Sequence, residues 1–267
     1  MTASMRKGRA LLAVWFAHMS AYRAEIIIWM LTGSLPLIML AVWIGKASVN
    51  GGSVNGYTPS GFAAYFLAAW ITQQFMVAWV SWELDRQIRL GELSPKLLRP
   101  IDVFWEHLAA HVTERMVRLP FMAVIVALGA LLVPGTHITP SVFHVGAYLL
   151  CVSLAFLVRF LIAYCVGLLT FWFDQATALD EFYYIVAAFL TGSFAPLDLY
   201  PPAVRAAIEW TPFPYLIYYP VQVLTGTLGG AEIVRVLLVL TGWVVVLALL
   251  KQVLWRFGLR RYGAVGA

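Results

Sequence analysis

Residues 81–120 read SWELDRQIRLGELSPKLLRPIDVFWEHLAAHVTERMVRLP and form the most highly charged part of an otherwise apolar chain. They hold six of the eighteen Lys and Arg residues and six of the thirteen acidic residues, whereas long uncharged runs lie on both sides. Such a polar segment is typical of a loop between two membrane spans. Because cytoplasmic loops carry the excess of Lys and Arg near span ends, we expect this loop to face the cytoplasm and to fix the topology.

The composition excludes an ordinary soluble protein. Of the 267 residues, 62% are hydrophobic and only 12% are charged, whereas about a quarter of the residues of a soluble domain are charged. The sequence therefore predicts an all-α integral membrane protein with a single transmembrane domain over residues 1–267. Its net charge of +5 favours topology and contact with anionic lipids over nucleic-acid binding, because the basic residues stand beside apolar runs.

Six apolar runs are candidate membrane spans, since about twenty apolar residues cross a bilayer. The predicted spans are 26–45, 61–80, 119–134, 142–173, 182–195 and 234–255. In this topology fourteen Lys and Arg residues lie on the cytoplasmic side, only Lys46, Arg205 and Arg235 lie outside, and Arg159 lies within a span. Both termini are therefore expected in the cytoplasm.

Two further segments are apolar without being regular spans. Residues 1–24 place Leu11, Trp15 and Met19 on one helix face with basic residues between them, which predicts an amphipathic helix at the membrane interface. A cleaved signal peptide is the alternative for this segment. Residues 196–232 are rich in Pro and aromatic residues and too irregular to span, so we expect an external re-entrant helical segment that dips into the outer leaflet.

The polar segment, defined as residues 81–118, has helical spacing at its start. Asp85 and Arg89 fall at i,i+4 and can pair on a helix that extends the second span into the cytoplasm. Gly91 ends this helix, and Ser94 and Pro95 predict the N-cap and first position of a second, short helix. The segment is thus predicted to be a rigid knob; a solvated, charge-balanced loop is the alternative.

Polar groups also occur inside the predicted spans. Thr72, Gln73 and Gln74 lie near the middle of the second span, where an unpaired polar group is costly. They either hydrogen-bond between helices or line a pathway. Arg159 in the fourth span is either a functional cation or a side chain that extends to the interface.

The sequence lacks the common catalytic motifs. It contains no GxxxxGK[ST] phosphate loop, so the chain cannot hydrolyse ATP through a P-loop by itself. It also contains no GxSxG, HExxH or C-x-x-C motif, and His107 and His111, although spaced i,i+4, have no acidic partner between them. We therefore predict no catalytic residue, no metal site and no cofactor in this chain.

Residues 91–100, GELSPKLLRP, combine with the N-terminal amphipathic helix and with the external motifs TPFPY (211–215) and YP (219–220). This combination resembles the membrane subunits of bacterial ABC-2 type exporters, permeases that pair with a separate ATP-binding subunit. The resemblance implies two such permeases, identical or homologous, with two ATP-binding subunits that hold ATP and magnesium. It also implies a location in the bacterial cytoplasmic (inner) membrane, in contact with membrane lipids.

The resemblance implies roles for particular residues. A coupling helix in the polar segment would dock into a cleft of the ATP-binding subunit, with a second contact from the loop at 174–181, and the N-terminal helix would form a lateral gate. The implied coupling residues are Glu83, Asp85, Arg86, Arg89, Leu93, Lys96, Arg99, Asp102, Trp105, Asp174 and Asp180. The implied translocation path, along spans two and five, contains Thr72, Gln73, Gln74, Phe189, Phe194 and Arg159.

Three functions are left open by the sequence. An export permease is favoured, with an amphipathic, lipid-like or drug-like cargo, because the walls of its path would be aromatic and apolar. The second is a lipid-modifying membrane enzyme that uses Asp174, Asp180 and Glu181 as acids. The third is a structural or signalling membrane subunit without transport.

Overall fold

The structure is a computed structural model that describes residues 3–49, 52–132, 140–174 and 176–263. The helices of this part of the chain are α1 (Ala3–Ala21), α2 (Arg23–Thr32), α3 (Leu35–Val49), α4 (Pro59–Phe75), α5 (Val80–Arg89), α6 (Leu93–Leu97), α7 (Val103–Leu132), α8 (Val142–Leu168), α9 (Thr177–Leu190), α10 (Pro202–Ile208), α11 (Tyr218–Leu224) and α12 (Gly230–Arg261). Within these ranges there is an isolated β-bridge but no β-strand. The predicted all-α fold is therefore confirmed.

Four helical stretches among the described residues are long and apolar enough to cross a membrane. They are Ala24–Val49, Pro59–Arg89, Val142–Phe171 and Gly230–Arg261, and they correspond to the predicted spans one, two, four and six. The predicted third span falls in the second half of α7, whose first half carries the charges of the polar segment, and the predicted fifth span falls in α9, which has 14 residues. The turn predicted after the third span lies largely outside the described residues.

Helix α8 forms the centre of the molecule and packs against α5, α11 and α12. Its side chains are buried on several sides, among them Phe160 and Tyr164. Gly167 allows α5 to come close, since a Cβ at this position would lie 3.0 Å from the Cβ of Leu84. A helix that is buried on several sides is expected to be apolar on most of its surface, as α8 is apart from Arg159 and a few other polar residues.

The N-terminal helix α1 packs along α7. Met19 belongs to a second buried cluster together with Met30 of α2, Trp70 of α4 and Met122 of α7. The opposite side of α1 leaves large apolar side chains such as Val14 exposed. An N-terminal helix is thus present, while its amphipathic character and its place at the membrane interface stay predictions.

Helix ends agree only in part with the sequence signals. Gly91 follows α5 with φ of +73°, the conformation that glycine adopts readily at a helix end. The predicted N-cap at Ser94 is wrong, because α6 begins at Leu93 and Ser94 lies within its first turn. The Ser94 hydroxyl instead lies 3.0 Å from the hydroxyl of Tyr262, near the end of α12.

The Asp198 carboxylate organises the segment between α9 and α12. It accepts hydrogen bonds from Tyr57 at 2.8 Å and Tyr218 at 2.7 Å, and it pairs with Arg205 of α10 at 2.8 Å. Burial, together with the Asp198 charge, raises the pKa of Tyr57 and of Tyr218, so both phenols stay protonated and act as donors. These bonds connect the loop before α4 to the segment 196–224.

Gly192 turns the chain back after α9. Its φ of +92° is in the left-handed region that favours glycine, and a Cβ there would lie 2.6 Å from the Tyr65 hydroxyl oxygen. Tyr65 of α4 donates a hydrogen bond to the Gly192 carbonyl at 2.9 Å. The turn therefore depends on a residue without a side chain and is held against α4.

Candidate functional site

A cavity of about 900 Å³ lies between α1, α2, the end of α4 and α9. Aromatic and aliphatic side chains form most of its wall, and several buried polar side chains contribute to it as well. The lining residues that concern us are His18, Glu25, Ile26 and Trp29 on the N-terminal helices, Gln73, Gln74, Met76, Val77, Trp79 and Trp82 along α4 and α5, Glu114, Arg118 and Arg159 on α7 and α8, and Tyr183, Tyr184, Ala187 and Ala188 on α9.

The cavity wall includes a break between α4 and α5, at residues 76–79. The last carbonyls of a helix have no partner within it, and buried carbonyls need one. Arg115 of α7 is the partner of the Phe75 carbonyl, whose oxygen lies 3.0 Å from Arg115 Nε and 2.9 Å from Arg115 Nη2. Arg115 also donates a hydrogen bond to the carbonyl of Val77. Because a helix C-terminus carries partial negative charge, a guanidinium is a favourable partner here.

The second half of the break is held by α7, α8 and α9. The backbone N–H of Trp79 donates to His111 Nε2 at 3.2 Å. The Ala78 carbonyl accepts from Tyr184 at 3.1 Å and from Arg159 at 3.4 Å. Three separate helices thus supply the partners that this interruption of α4–α5 requires.

Two buried ion pairs contribute side chains to the cavity wall. Arg159 pairs with Asp180 of α9 at 3.0 Å, and Asp180 also accepts a 2.8 Å hydrogen bond from Ser81. Arg118 pairs with Glu114 one helical turn away, and it donates to Gln74 Oε1 at 3.1 Å. A buried charge is tolerated only when it is paired and hydrogen-bonded, as these four side chains are.

The predicted path residues fall into two groups. Gln73, Gln74 and Arg159 line the cavity. Thr72 is buried away from it and contacts the Tyr148 hydroxyl of α8 at 3.1 Å. Phe189 and Phe194 do not line it; their rings pack against each other and are partly exposed. The roles of these residues in transport stay predictions.

The polar segment has a packed base. Leu93 is fully buried, and Lys96 forms a 2.9 Å ion pair with Glu106 of α7 in a half-buried position. Asp85 pairs with Arg89 and accepts from Thr170 at 3.1 Å. The segment is therefore packed against α7 and α8 and is not a fully solvated loop.

The remaining predicted coupling residues are distributed between base and surface. Asp102 caps α7 by accepting from the Phe104 N–H at 2.8 Å, and Glu83 accepts from Gln87 at 2.9 Å. Arg86, Arg99 and Trp105 are each more than half exposed, and Asp174 is exposed as well. Asp180, predicted as a contact residue, is instead buried in its pair with Arg159 and is not available to a partner in this conformation.

A second polar cluster lies between α5 and α7. His107 is fully buried, and its Nε2 is 3.2 Å from Gln87 Nε2 and 3.8 Å from Glu83 Oε1. Burial, with a smaller contribution from the Lys96 charge, lowers the pKa of His107 well below its usual value. His107 is therefore neutral at neutral pH and serves as a hydrogen-bonding group in the base of the polar segment.

Sequence reasoning missed the part that α7 plays in the site. Glu114, Arg115 and Arg118 were included in the polar segment as loop charges, yet all three are buried beside the cavity or the break. The i,i+4 spacing of Glu114 and Arg118 immediately before an apolar run is the signal that could have identified a pair within a helix. Nothing in the sequence around Trp79 indicates that its indole N–H donates to Glu114 at 2.6 Å.

A family model described as ABC-2 family transporter protein matches residues 28–266, which is most of the chain. No curated protein and no solved structure matches significantly.

Proposed function

The chain belongs to the ABC-2 transporter family, and from this premise we propose that it is the permease subunit of an ATP-driven exporter. In this proposal it crosses the bacterial inner membrane six times, with both termini in the cytoplasm. It pairs with a second permease, identical or homologous, and with two ATP-binding subunits that hold ATP and magnesium. Family membership itself makes the chain a multi-pass membrane component of an ABC transporter.

The observation that carries the proposal is that the polar segment has an exposed surface of charged and large apolar side chains, while its base is packed against the neighbouring helices. Leu98 is 88% exposed, Leu90 67% and Trp105 58%, among Arg86, Arg99 and other charged side chains. Large apolar side chains exposed together within a charged surface are typical of a protein-binding site. The buried Leu93 and the Lys96–Glu106 ion pair hold α6 against α7. A movement of a partner bound at this surface would therefore be transmitted to the helices below it.

Helix α5 would connect this surface to the cavity. It runs from the break to Arg89, a length of about 15 Å at 1.5 Å per residue. Trp79 and Trp82, at its beginning, line the cavity, whereas the exposed side chains of Arg86 and Arg89 lie near its other end. A displacement of α6 by the ATP-binding subunit would therefore reach the cavity through one rigid helix.

The cavity supports an amphipathic, lipid-like or drug-like cargo. Its volume of about 900 Å³ lies within the range of roughly 300–1,000 Å³ that small-molecule sites occupy. Trp29, Trp79, Trp82 and Tyr184 contribute aromatic surface to its wall. We propose that the second permease completes the path and that cargo leaves the cytoplasmic side of the membrane by this route.

The proposal is tested by affinity purification of the tagged chain in mild detergent, followed by mass spectrometry and an ATP hydrolysis assay. An ATP-binding subunit should accompany the wild-type chain, together with any second permease. In the double variant Arg86→Glu, Arg99→Glu, recovery of that subunit should fall at least about tenfold, which corresponds to about 1.4 kcal/mol. The expected cause is charge reversal on the docking surface.

A matched control distinguishes an effect on docking from an effect on folding or on the net charge of the chain. Arg256→Glu, Arg260→Glu makes the same charge change on exposed positions of α12 and should retain the ATP-binding subunit. Both double variants should unfold near the wild-type temperature, because exposed ion pairs such as Arg86–Glu92 contribute about 0–1 kcal/mol. If no ATPase co-purifies with the wild-type chain in several mild detergents, the proposal that the chain is part of an exporter is refuted.

A further inference from the structure

The cavity wall contains donor atoms that have no hydrogen-bond partner among the described residues. Gln74 and Arg159 are 2% and 1% exposed, yet Gln74 Nε2 and Arg159 Nη1 donate no hydrogen bond there. Both residues line the cavity. Buried donors are nearly always hydrogen-bonded in native proteins, so two orphan donors on the wall of one cavity indicate a group that supplies acceptors.

Two buried cations, Arg118 and Arg159, line the cavity, and each has a carboxylate partner, Glu114 and Asp180 respectively. A third buried cation, Arg115, lies at the adjoining break, where its hydrogen-bond partners among the described residues are the backbone carbonyls of Phe75, Val77 and His111. The three buried guanidinium groups therefore outnumber these two buried acids. An excess of buried positive charge is costly, and an anion placed near it would lower that cost.

Much of the rest of the cavity wall is apolar. Ile26 and Trp29 of α2 and Ala187 and Ala188 of α9 contribute to it. Glu25 and His18 lie on the wall as well, but both side chains are exposed. The cavity thus offers buried guanidinium and amide donors within a mostly apolar wall.

We propose that this cavity binds an amphiphile with one anionic headgroup, a phosphate or carboxylate, seated against Gln74, Arg118 and Arg159 with its tail between α2 and α9. The inference rests on the proposed transport function and specifies its substrate class. Two sources share this chemistry: an anionic phospholipid of the surrounding membrane and an exported single-chain acid.

The test measures binding of radiolabelled tetradecyl phosphate to the affinity-purified complex in phosphatidylcholine nanodiscs, with tetradecyltrimethylammonium as the probe of opposite charge. The anionic probe should bind at least about tenfold more tightly than the cationic probe. Equal affinity for the two probes would overturn the proposal, and this comparison uses the wild-type complex alone.

Gln74→Glu is the informative variant. It keeps the oxygen that accepts from Arg118, replaces the unpartnered donor with an acceptor, and places a negative charge where the headgroup should lie. We expect the affinity for tetradecyl phosphate to fall at least about tenfold. Gln252→Glu, an exposed position on α12, makes the same charge change and should leave the affinity within about twofold. Equal affinity of the two variants would contradict the assigned site.

Phosphatidylglycerol in the nanodiscs distinguishes the two sources. If it displaces the anionic probe, the headgroup site is occupied by a membrane phospholipid; if the probe stays bound and raises ATP hydrolysis, the ligand is a cargo. Either result supports the anionic site. Mass spectrometry of the same preparation shows whether the ATP-binding subunit is present. If that subunit is absent, the exporter proposal is refuted even where the anionic probe binds. If the subunit is present but the two probes bind equally well, only the inference of an anionic site is refuted.

Discussion

Replacing Asp180 with alanine is expected to destabilise the chain by about 3–5 kcal/mol, the usual cost of removing one partner of a buried ion pair. Asp180 is fully buried, and its Oδ1 lies 3.0 Å from Arg159 Nη2. The substitution would leave the Arg159 charge without its carboxylate and the Ser81 hydroxyl without its acceptor. The pair also connects α8 to α9, so the wall of the cavity should loosen with it.

Unfolding of the purified protein by heat or denaturant in detergent would measure this effect. Asp180→Asn should be less harmful, because its side-chain oxygen can still accept a hydrogen bond. The double variant Arg159→Met, Asp180→Leu should recover much of the stability, since apolar residues of similar size can replace a buried pair. Asp174→Ala, at an exposed acid nearby, should have little effect. Wild-type stability in Asp180→Ala would show that the pair does not hold α9.

The second large effect is expected at Arg115. Arg115→Leu would remove the donors that satisfy the carbonyls of Phe75 and Val77 at the break between α4 and α5. Each buried carbonyl left without a partner costs about 1–3 kcal/mol, so we expect a loss of roughly 3 kcal/mol or more. The guanidinium also lies 3.7 Å from the centroid of the Phe156 ring, and this contact with α8 would be weakened.

Hydrogen exchange can localise the Arg115 effect. Amides of residues 76–82 should exchange faster in Arg115→Leu than in the wild type, because the Trp79 N–H belongs to the destabilised break. Arg115→Lys should be intermediate, since one ammonium cannot reproduce the forked donors of a guanidinium. Met116→Leu, at an exposed neighbouring position on α7, is the control. Unchanged exchange at 76–82 in Arg115→Leu would mean that the break does not depend on Arg115.

The sequence could predict the long apolar helices and several of their ends. Helices α8 and α12 have 27 and 32 residues and are strongly apolar over most of that length, so length and hydropathy suffice to find them. Gly91 indicates the end of α5. These features are local, because a turn conformation or an apolar run is encoded by adjacent residues.

The break at 76–79 could not be predicted in the same way. Its residues, Met-Val-Ala-Trp, contain neither Pro nor Gly and continue the apolar run of α4. The break exists because Arg115, His111 and Arg159, which are distant in sequence, supply hydrogen bonds that replace those of the helix. Tertiary partners of this kind override local helix propensity.

The site was anticipated to the extent that polar residues stand out in apolar runs. Gln73, Gln74 and Arg159 are such residues, and all three line the cavity. The local sequence of Asp180, FDQATALDE, resembles a loop and therefore predicts a surface acid, whereas the side chain is buried. Its partner Arg159 is 21 residues away, and no spacing rule connects the two.

The central claim, that a partner's ATP hydrolysis moves the walls of the cavity, is tested most directly by measuring the distance between α2 and α9, two helices that line it. Spin labels at Ile28→Cys on α2 and Ile185→Cys on α9 occupy exposed positions on the two helices, and the native Cys151 and Cys165 are buried. In the purified complex, we expect the distance distribution to change when ATP and vanadate are added. A label pair at Leu238 and Leu249, both exposed on α12, should not change. An unaltered α2–α9 distance, in a preparation that contains the ATP-binding subunit and hydrolyses ATP, would contradict the account.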